Sequence, residues 1–362
     1  MVKRFCLLFI VPVVIFVCTG CAQNEEDISR ERQPLQNQDD IAPQKEIEPE
    51  PPITFSFAGD TMAAGNVAPI LEEKGYQFPW EQARPYLEES DIAMVNLETA
   101  VSLRGEPTNK TYAFRSHPDL IKGMKWAGVN MVTVANNHSL DFGTESFEDT
   151  LNTLTEHDIT YVGGGFNEEE AYQSKQMTIR GKTVSFLGFS RVLPSVSWYA
   201  RKEQPGLASG YQDERVYELA TQAVENSDIT VVYMHWGKEL ADTPETADRE
   251  MARQLIDLGV DMVIGSHPHV LQGLEYYKGK LIAYSLGNFI FTNSHQELAR
   301  QSVVLQVAIN EDGKQTAKVY PMKIDMGAVW TADNQESENI MKRLSSLSKG
   351  GEWTEEGEYL PN

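Results

Sequence analysis

The chain has 362 residues, with 31 Lys and Arg against 53 Asp and Glu, for a formal net charge of −22. Hydrophobic residues at 41% and charged residues at 23% suffice for a packed core, which rules out wholly disordered, collagen-like and polytopic membrane classes. The acidity argues against a nucleic-acid partner, because affinity for phosphate backbones comes from clustered Lys and Arg, and against broad adhesion to anionic lipid.

All three cysteines lie at the start: Cys6, Cys18 and Cys21. Lys3 and Arg4 precede an apolar run from Cys6 to Val17, interrupted by Pro12. About a dozen residues is too short for a spanning helix, which needs ~20, and fits the core of a secretory signal over residues 1–20. Cys18-Thr19-Gly20-Cys21 resembles the bacterial lipobox, with Cys18 where Leu is usual. The resemblance implies acylation of Cys21 and a lipid anchor on the extracytoplasmic face of the cell membrane. Plain secretion, with cleavage after a small residue, is the alternative. A mature chain starting at Cys21 has no second thiol, so no internal disulfide, catalytic Cys or Cys-rich metal site is expected. Residues 21–52 read as a disordered, acidic, Pro-rich tether, with too little apolar surface to offset its ordering entropy. The signal carries +2 and the tether −6, so residues 53–362 hold −18 of the charge.

The body alternates strand and helix patterns. A β-rich run over 53–58 stops at Gly59-Asp60, and helical spacing follows over 66–74 and 80–89. The run 91–95 stops at Asn96-Leu97-Glu98. A helix over 118–127 leads to a strand over 129–135, which stops at Asn136-Asn137-His138. A helix over 144–157, a strand over 159–162 and a hairpin over 177–189 follow. A helix over 212–226 leads to a strand over 229–234, which stops at His235. A helix over 245–258 leads to a strand over 260–264, which stops at Gly265-Ser266-His267-Pro268-His269. Leu281–Tyr284 leads into Ser285-Leu286-Gly287-Asn288, and strands continue to about 323. The main domain is expected over 53–330, and a helix and tail over 331–362 are expected to be peripheral.

Five apolar runs thus stop at groups able to bind metal: Asp60, Glu98, Asn137/His138, His235 and His267/His269. Ligands in open α/β sheets bind beyond the carboxyl ends of strands. Each stop taken singly also fits a turn, a helix cap or a satisfied histidine. Gly163-Gly164-Gly165 lacks the Lys-Ser/Thr of a nucleotide loop and reads as a turn. The loop 190–211, with Trp198, Tyr199, Arg201 and Lys202, fits either a rim gripping an anionic polymer or a loop packed on the domain.

In this order, Phe57-Ala-Gly-Asp60-Thr-Met, Val95-Asn-Leu-Glu98, Ala135-Asn-Asn-His138, His235-Trp-Gly237, Gly265-Ser-His-Pro-His269 and Ser285-Leu-Gly-Asn288-Phe resemble the CapA family of poly-γ-glutamate capsule synthesis proteins. That family is similar to the calcineurin-like metallophosphoesterases. The resemblance covers residues 53 to about 292. It implies an α/β fold, a four-layer αββα sandwich of metallophosphoesterase type. By position it implies Asp60, Glu98, Asn137, His235, His267 and His269 as metal ligands, with His138 as a general acid. Asp141 would orient an imidazole or close its turn, and Asn96, Asn136 and Asn288 would line the site. The chain departs from the phosphoesterase pattern at Met62, where a His is usual, and in lacking Gly-Asp before Asn96. These departures predict that one metal position is weaker or empty.

The donor set suits one or two of Mn²⁺, Fe or Zn²⁺. Such cations would support hydrolysis at a phosphoryl or acyl centre. The expected partners are the membrane, through lipid on Cys21, together with poly-γ-glutamate and membrane capsule synthase subunits. A hydrolase of the envelope unrelated to capsule, and a non-catalytic scaffold with a decayed site, are the alternatives.

Overall fold

A computed structural model describes residues 50–292 and 294–362. The expected signal, Cys21 with its lipobox-like flank and nearly all of the expected tether lie outside these residues. The fold is mixed α/β and is built on two large sheets.

The larger sheet runs, by strand, 351–353, 358–361, 315–325, 301–309, 53–61, 92–97, 131–133 and 160–162. Its half from 53–61 to 160–162 is parallel, whereas 301–309 joins 53–61 antiparallel. The smaller sheet runs 274–277, 280–283, 262–266, 229–235, 182–190 and 175–179, with its four middle strands parallel.

Alternation along the strands decides which face meets what. Phe55, Phe57, Ile92, Met94 and Met131 share one apolar cluster with Val184, Phe186, Val231, Tyr233, Met262 and Ile264, so the two sheets pack face to face. The other face of the larger sheet, through Ala58, Ala93, Val95 and Val132, joins Leu71, Trp80, Leu87, Leu120, Met124, Phe147 and Leu151 from the helices. The other face of the smaller sheet, through Leu187, Phe189, Val232, Met234 and Val263, joins Val216, Ala220, Met251, Ala252 and Leu255. Both faces of the parallel strands are therefore covered, which is why they read as unbroken apolar runs.

The C-terminal residues are not peripheral. A capping box at Asp333 and Glu336 starts the helix Asn334–Leu347, whose Ile340 and Leu344 enter the cluster between the sheets. The strands 351–353 and 358–361 extend the larger sheet. Tyr359 is fully buried, its ring 5.2 Å from that of Tyr276 and 4.7 Å from that of Trp353. Acidic residues around this tyrosine mask its apolar contribution in the sequence.

Candidate metal centre

Parallel strands carry their polar endings to one edge. From the larger sheet, 53–61 brings Asp60, 92–97 brings Asn96 and then Glu98, and 131–133 leads into Asn136–His138. From the smaller sheet, 229–235 ends on His235, and 262–266 leads into His267 and His269. The sheets are tied just below, where Tyr233 Oη donates to Ala58 O at 3.3 Å.

These side chains converge. His235 Nε2 lies 2.8 Å from Asn137 Oδ1 and 3.6 Å from Glu98 Oε1. His269 Nδ1 lies 3.1 Å from Asp60 Oδ2, and its Nε2 is 4.0 Å from Glu98 Oε1. His267 N donates to Asp60 Oδ2 at 3.3 Å, and the rings of His235 and His267 have centroids 4.8 Å apart. Ligand atoms of Glu98, His235 and His267 lie within 4.8 Å of one another, as do those of Asp60, Glu98 and His269.

The asparagines hold this arrangement. Asn96 Nδ2 donates to Asp60 Oδ1 at 2.8 Å and lies 3.3 Å from His235 Nδ1. Asn136 Nδ2 donates to Asn96 Oδ1 at 3.0 Å, and its Oδ1 accepts from His138 N at 3.0 Å. Asn288 Oδ1 lies 2.8 Å from His269 Nδ1. Ser266 Oγ, 3.0 Å from His235 Nδ1, and Asn288 Oδ1 can each accept from an Nδ1–H, the tautomer that would present Nε2 of each ring to a cation.

Local backbone explains the placement. Asp60 N donates to Gly287 O at 2.9 Å, and a Cβ at Gly59 would lie 1.8 Å from that oxygen. Only glycine permits such an approach. His267 and His269 have φ of 98° and 57°, left-handed values that cost side-chain-bearing residues about 1–3 kcal/mol. The strain is held at the point where both imidazoles turn into the cluster.

Charge in the cluster is unbalanced. Burial, then the charge of Asp60, pushes the Glu98 carboxyl well above the usual range. Burial would raise Asp60 too, but the hydrogen bond and charge of His269, with help from Asn96 and His267, bring it below the usual value. Burial drives His235 well below 6.5 and His267 to about 3, so both are neutral donors at pH 7. Glu98 Oε1 and His267 Nδ1 are buried without a hydrogen-bond partner. Orphaned donor atoms, neutral imidazoles, two carboxylates and an amide oxygen fit a divalent cation.

Beside the cluster, His138 Nδ1 is 2.6 Å from Asp141 Oδ2. Asp141 also accepts from Phe114 N at 2.8 Å. Two residues without a sequence signal join here. Lys110 Nζ donates to Asn137 O and to Asp141 Oδ1, both at 2.5 Å, and lies over the Trp198 ring at 5.1 Å. Glu239 has a ligand atom within 4.8 Å of His267 and His269. Both sit on irregular segments, where periodicity gives no cue.

The loop 190–211 packs on the domain. Trp198 is buried, and Gly206–Leu207 pairs with Gly164–Gly165, while Arg201 and Lys202 stay exposed. The three glycines are buried packing elements, and a Cβ at Gly163 would lie 2.5 Å from that of Ala135.

Behind His235, the helix Thr246–Asp257 carries Asp248 in its first turn. Asp248 is buried and its Oδ2 has no hydrogen-bond partner. Burial raises its pKa to about 6, with Arg191 pulling down and Glu245 pushing up. A folded pKa above the unfolded value means that the native state holds its proton longer, so stability falls as pH rises toward 6. Asp248→Asn is expected to be more stable than wild type at about pH 7.5, with the difference closing at about pH 4.5. Urea unfolding at both pH values checks this, and an equal difference at both would contradict it.

The comparisons with known proteins show the family. The family described as "Bacterial capsule synthesis protein PGA_cap" matches residues 54–293. The capsule biosynthesis protein CapA of Bacillus anthracis is 30% identical over 335 residues, 90% of this chain and 81% of its own. The PGA biosynthesis protein CapA of Bacillus subtilis is 29% identical over 310 residues, 84% of this chain and 81% of its own. A probable polyglutamine synthesis accessory protein of Mycobacterium tuberculosis is 26% identical over 294 residues, 76% of this chain and 77% of its own. The matched span runs from the first strand through the last of the site loops, so the chain belongs to the bacterial capsule synthesis protein family PGA_cap, which includes the CapA proteins.

Proposed function

We propose that this protein is a lipid-anchored, extracytoplasmic member of the poly-γ-glutamate capsule machinery that acts as a metal-dependent hydrolase during polymer synthesis, export or attachment. The observation that carries the reading is the convergence of Asp60, Glu98, Asn137, His235, His267 and His269 around two orphaned buried donor atoms. Glu98, Asn137, His235 and His267 would hold one cation, and Asp60, Glu98 and His269 a second. Bound cations would supply Lewis-acid stabilisation of charge on a phosphoryl or acyl oxygen, and would activate water at neutral pH.

The chain's own residues do the rest. Asp141 accepts from His138 Nδ1, which fixes the tautomer and leaves Nε2 free for a substrate proton. Burial lowers the His138 pKa in spite of Asp141, with Lys110 and His269 contributing. The ring is therefore neutral at pH 7 and must gain a proton at Nε2 before passing it to a leaving group. Lys110 and bound cations would give an anionic polymer a local positive field on a body that otherwise repels it.

The reading is tested by complementation in a capsule-forming bacterium lacking its own CapA, using wild type, Cys21→Ser and His267→Ala. Wild type is expected to restore capsule, Cys21→Ser to release the protein from the membrane, and His267→Ala to fail while still accumulating. In vitro, hydrolysis of phosphodiester and γ-glutamyl amide probes with Mn²⁺ should drop by about a hundredfold or more in His267→Ala. Full capsule from His267→Ala, with no hydrolysis by wild type, would leave a scaffold rather than an enzyme.

A further inference from the structure

Met62 occupies the position where the phosphoesterase pattern has a nitrogen ligand. Its side chain is fully buried, and its Sδ accepts from Ala64 N at 3.3 Å. A thioether engaged in this way is a poor ligand for Mn²⁺ or Zn²⁺. The group Asp60, Glu98 and His269 is therefore one protein ligand poorer than the group of Glu98, His235 and His267 completed by the Asn137 amide oxygen.

An exposed carboxylate, Glu239, stands near both His267 and His269. The strand 229–235 ends at His235, and the chain turns at Gly237, whose φ is 83°, and again at Leu240, whose φ is 60°. Leu240 N donates to Pro268 O at 2.7 Å, which pins this turn to the loop carrying both imidazoles. Glu239 is thereby brought within 4.8 Å of ligand atoms on His267 and His269. His267, which is 4% exposed and whose Nδ1 is buried without a hydrogen-bond partner, belongs to the same group of residues.

We propose that Glu239 is a ligand of the second cation, entering from the Gly237–Leu240 turn to supply the contact that Met62 cannot. Asp60, Glu98 and His269 would form the buried side of that position, and Glu239 its solvent side. The second position would then be complete but more open than the first. The inference rests on the metal-centre reading, and the experiment separates the two.

Purified protein is stripped of metal, equilibrated with Mn²⁺, freed of excess by gel filtration, and its bound metal counted by mass spectrometry. Electron paramagnetic resonance of the same samples reports whether two Mn²⁺ ions are magnetically coupled. Wild type is expected to hold two ions with a coupled spectrum. Glu239→Gln, which keeps the shape, is expected to hold one uncoupled ion, with affinity at the second position lowered about 10–100-fold or more. Glu245→Gln removes the same charge from the exposed residue preceding the helix Thr246–Asp257 and is expected to match wild type. Two coupled ions in Glu239→Gln would overturn the assignment and leave the metal centre standing, as would an equal loss in Glu245→Gln. A single ion in wild type would remove the second position. No ion in wild type would overturn the metal centre, and the role of Glu239 with it.

Discussion

Gly59→Ala is expected to destabilise the protein by about 3 kcal/mol or more and to abolish cation binding together with the fold of the site. The added methyl would lie 1.8 Å from Gly287 O, 2.8 Å from Gly287 C and 3.0 Å from Leu286 O. All three are backbone atoms, so no rotamer change relieves the overlap. Asp60 N donates to the same Gly287 oxygen, and Asn288 pairs in register with Asp60. Displacing Leu286–Asn288 therefore moves Asp60 and the asparagine that holds His269. Urea unfolding and metal counting on one preparation check this. A wild-type midpoint would mean that the Leu286–Asn288 segment yields at little cost.

Saturating wild type with Mn²⁺ is expected to raise its melting temperature by roughly 5 °C, with chelator reversing the shift. A ligand at a hundred times its dissociation constant contributes about 2.7 kcal/mol, and one kcal/mol shifts a domain above 150 residues by about 2–4 °C. Glu98→Gln should abolish this response. Its melting temperature in chelator should equal or exceed that of wild type, because the buried carboxyl that faces Asp60 is gone. A protein that is firmer without metal yet deaf to metal is the signature of a site bought with stability. Glu98→Gln melting well below wild type in chelator would instead assign Glu98 to the structural framework. A retained Mn²⁺ shift would remove it from the ligand set.

Much of the centre could be read from the sequence, for a physical reason. Parallel strands covered on both faces leave long apolar runs, and where such a run stops at Asp60, His235 or His267 the change in character is abrupt. The ordered set of stops then carried the family likeness. Residues on irregular backbone gave no such signal. Lys110 arrives on a long excursion between the short strands Ala100–Val101 and Arg115–Ser116. Glu239 arrives on a turn set by two left-handed residues and one hydrogen bond to Pro268. Neither position is fixed by periodicity. The strand Leu274–Tyr277 was equally hidden, being four residues long and followed at once by a tight turn into Lys280–Ala283. The segment over 351–361 was masked by its acids, although Tyr359 is a buried anchor.

The first strand begins at Ile53 and carries Asp60 close to its far end. At about 3.3 Å per residue, those two residues stand roughly 23 Å apart. Whatever holds the chain upstream of residue 50 thus pulls on the pole opposite the pocket. Under the proposed lipid anchor, the point of attachment and the pocket would lie at opposite ends of that strand. The 31 residues from Ala22 to Pro52 could span at most about 110 Å when fully drawn out. Under the same proposed anchor, that reach would bound how far from the bilayer the pocket can work.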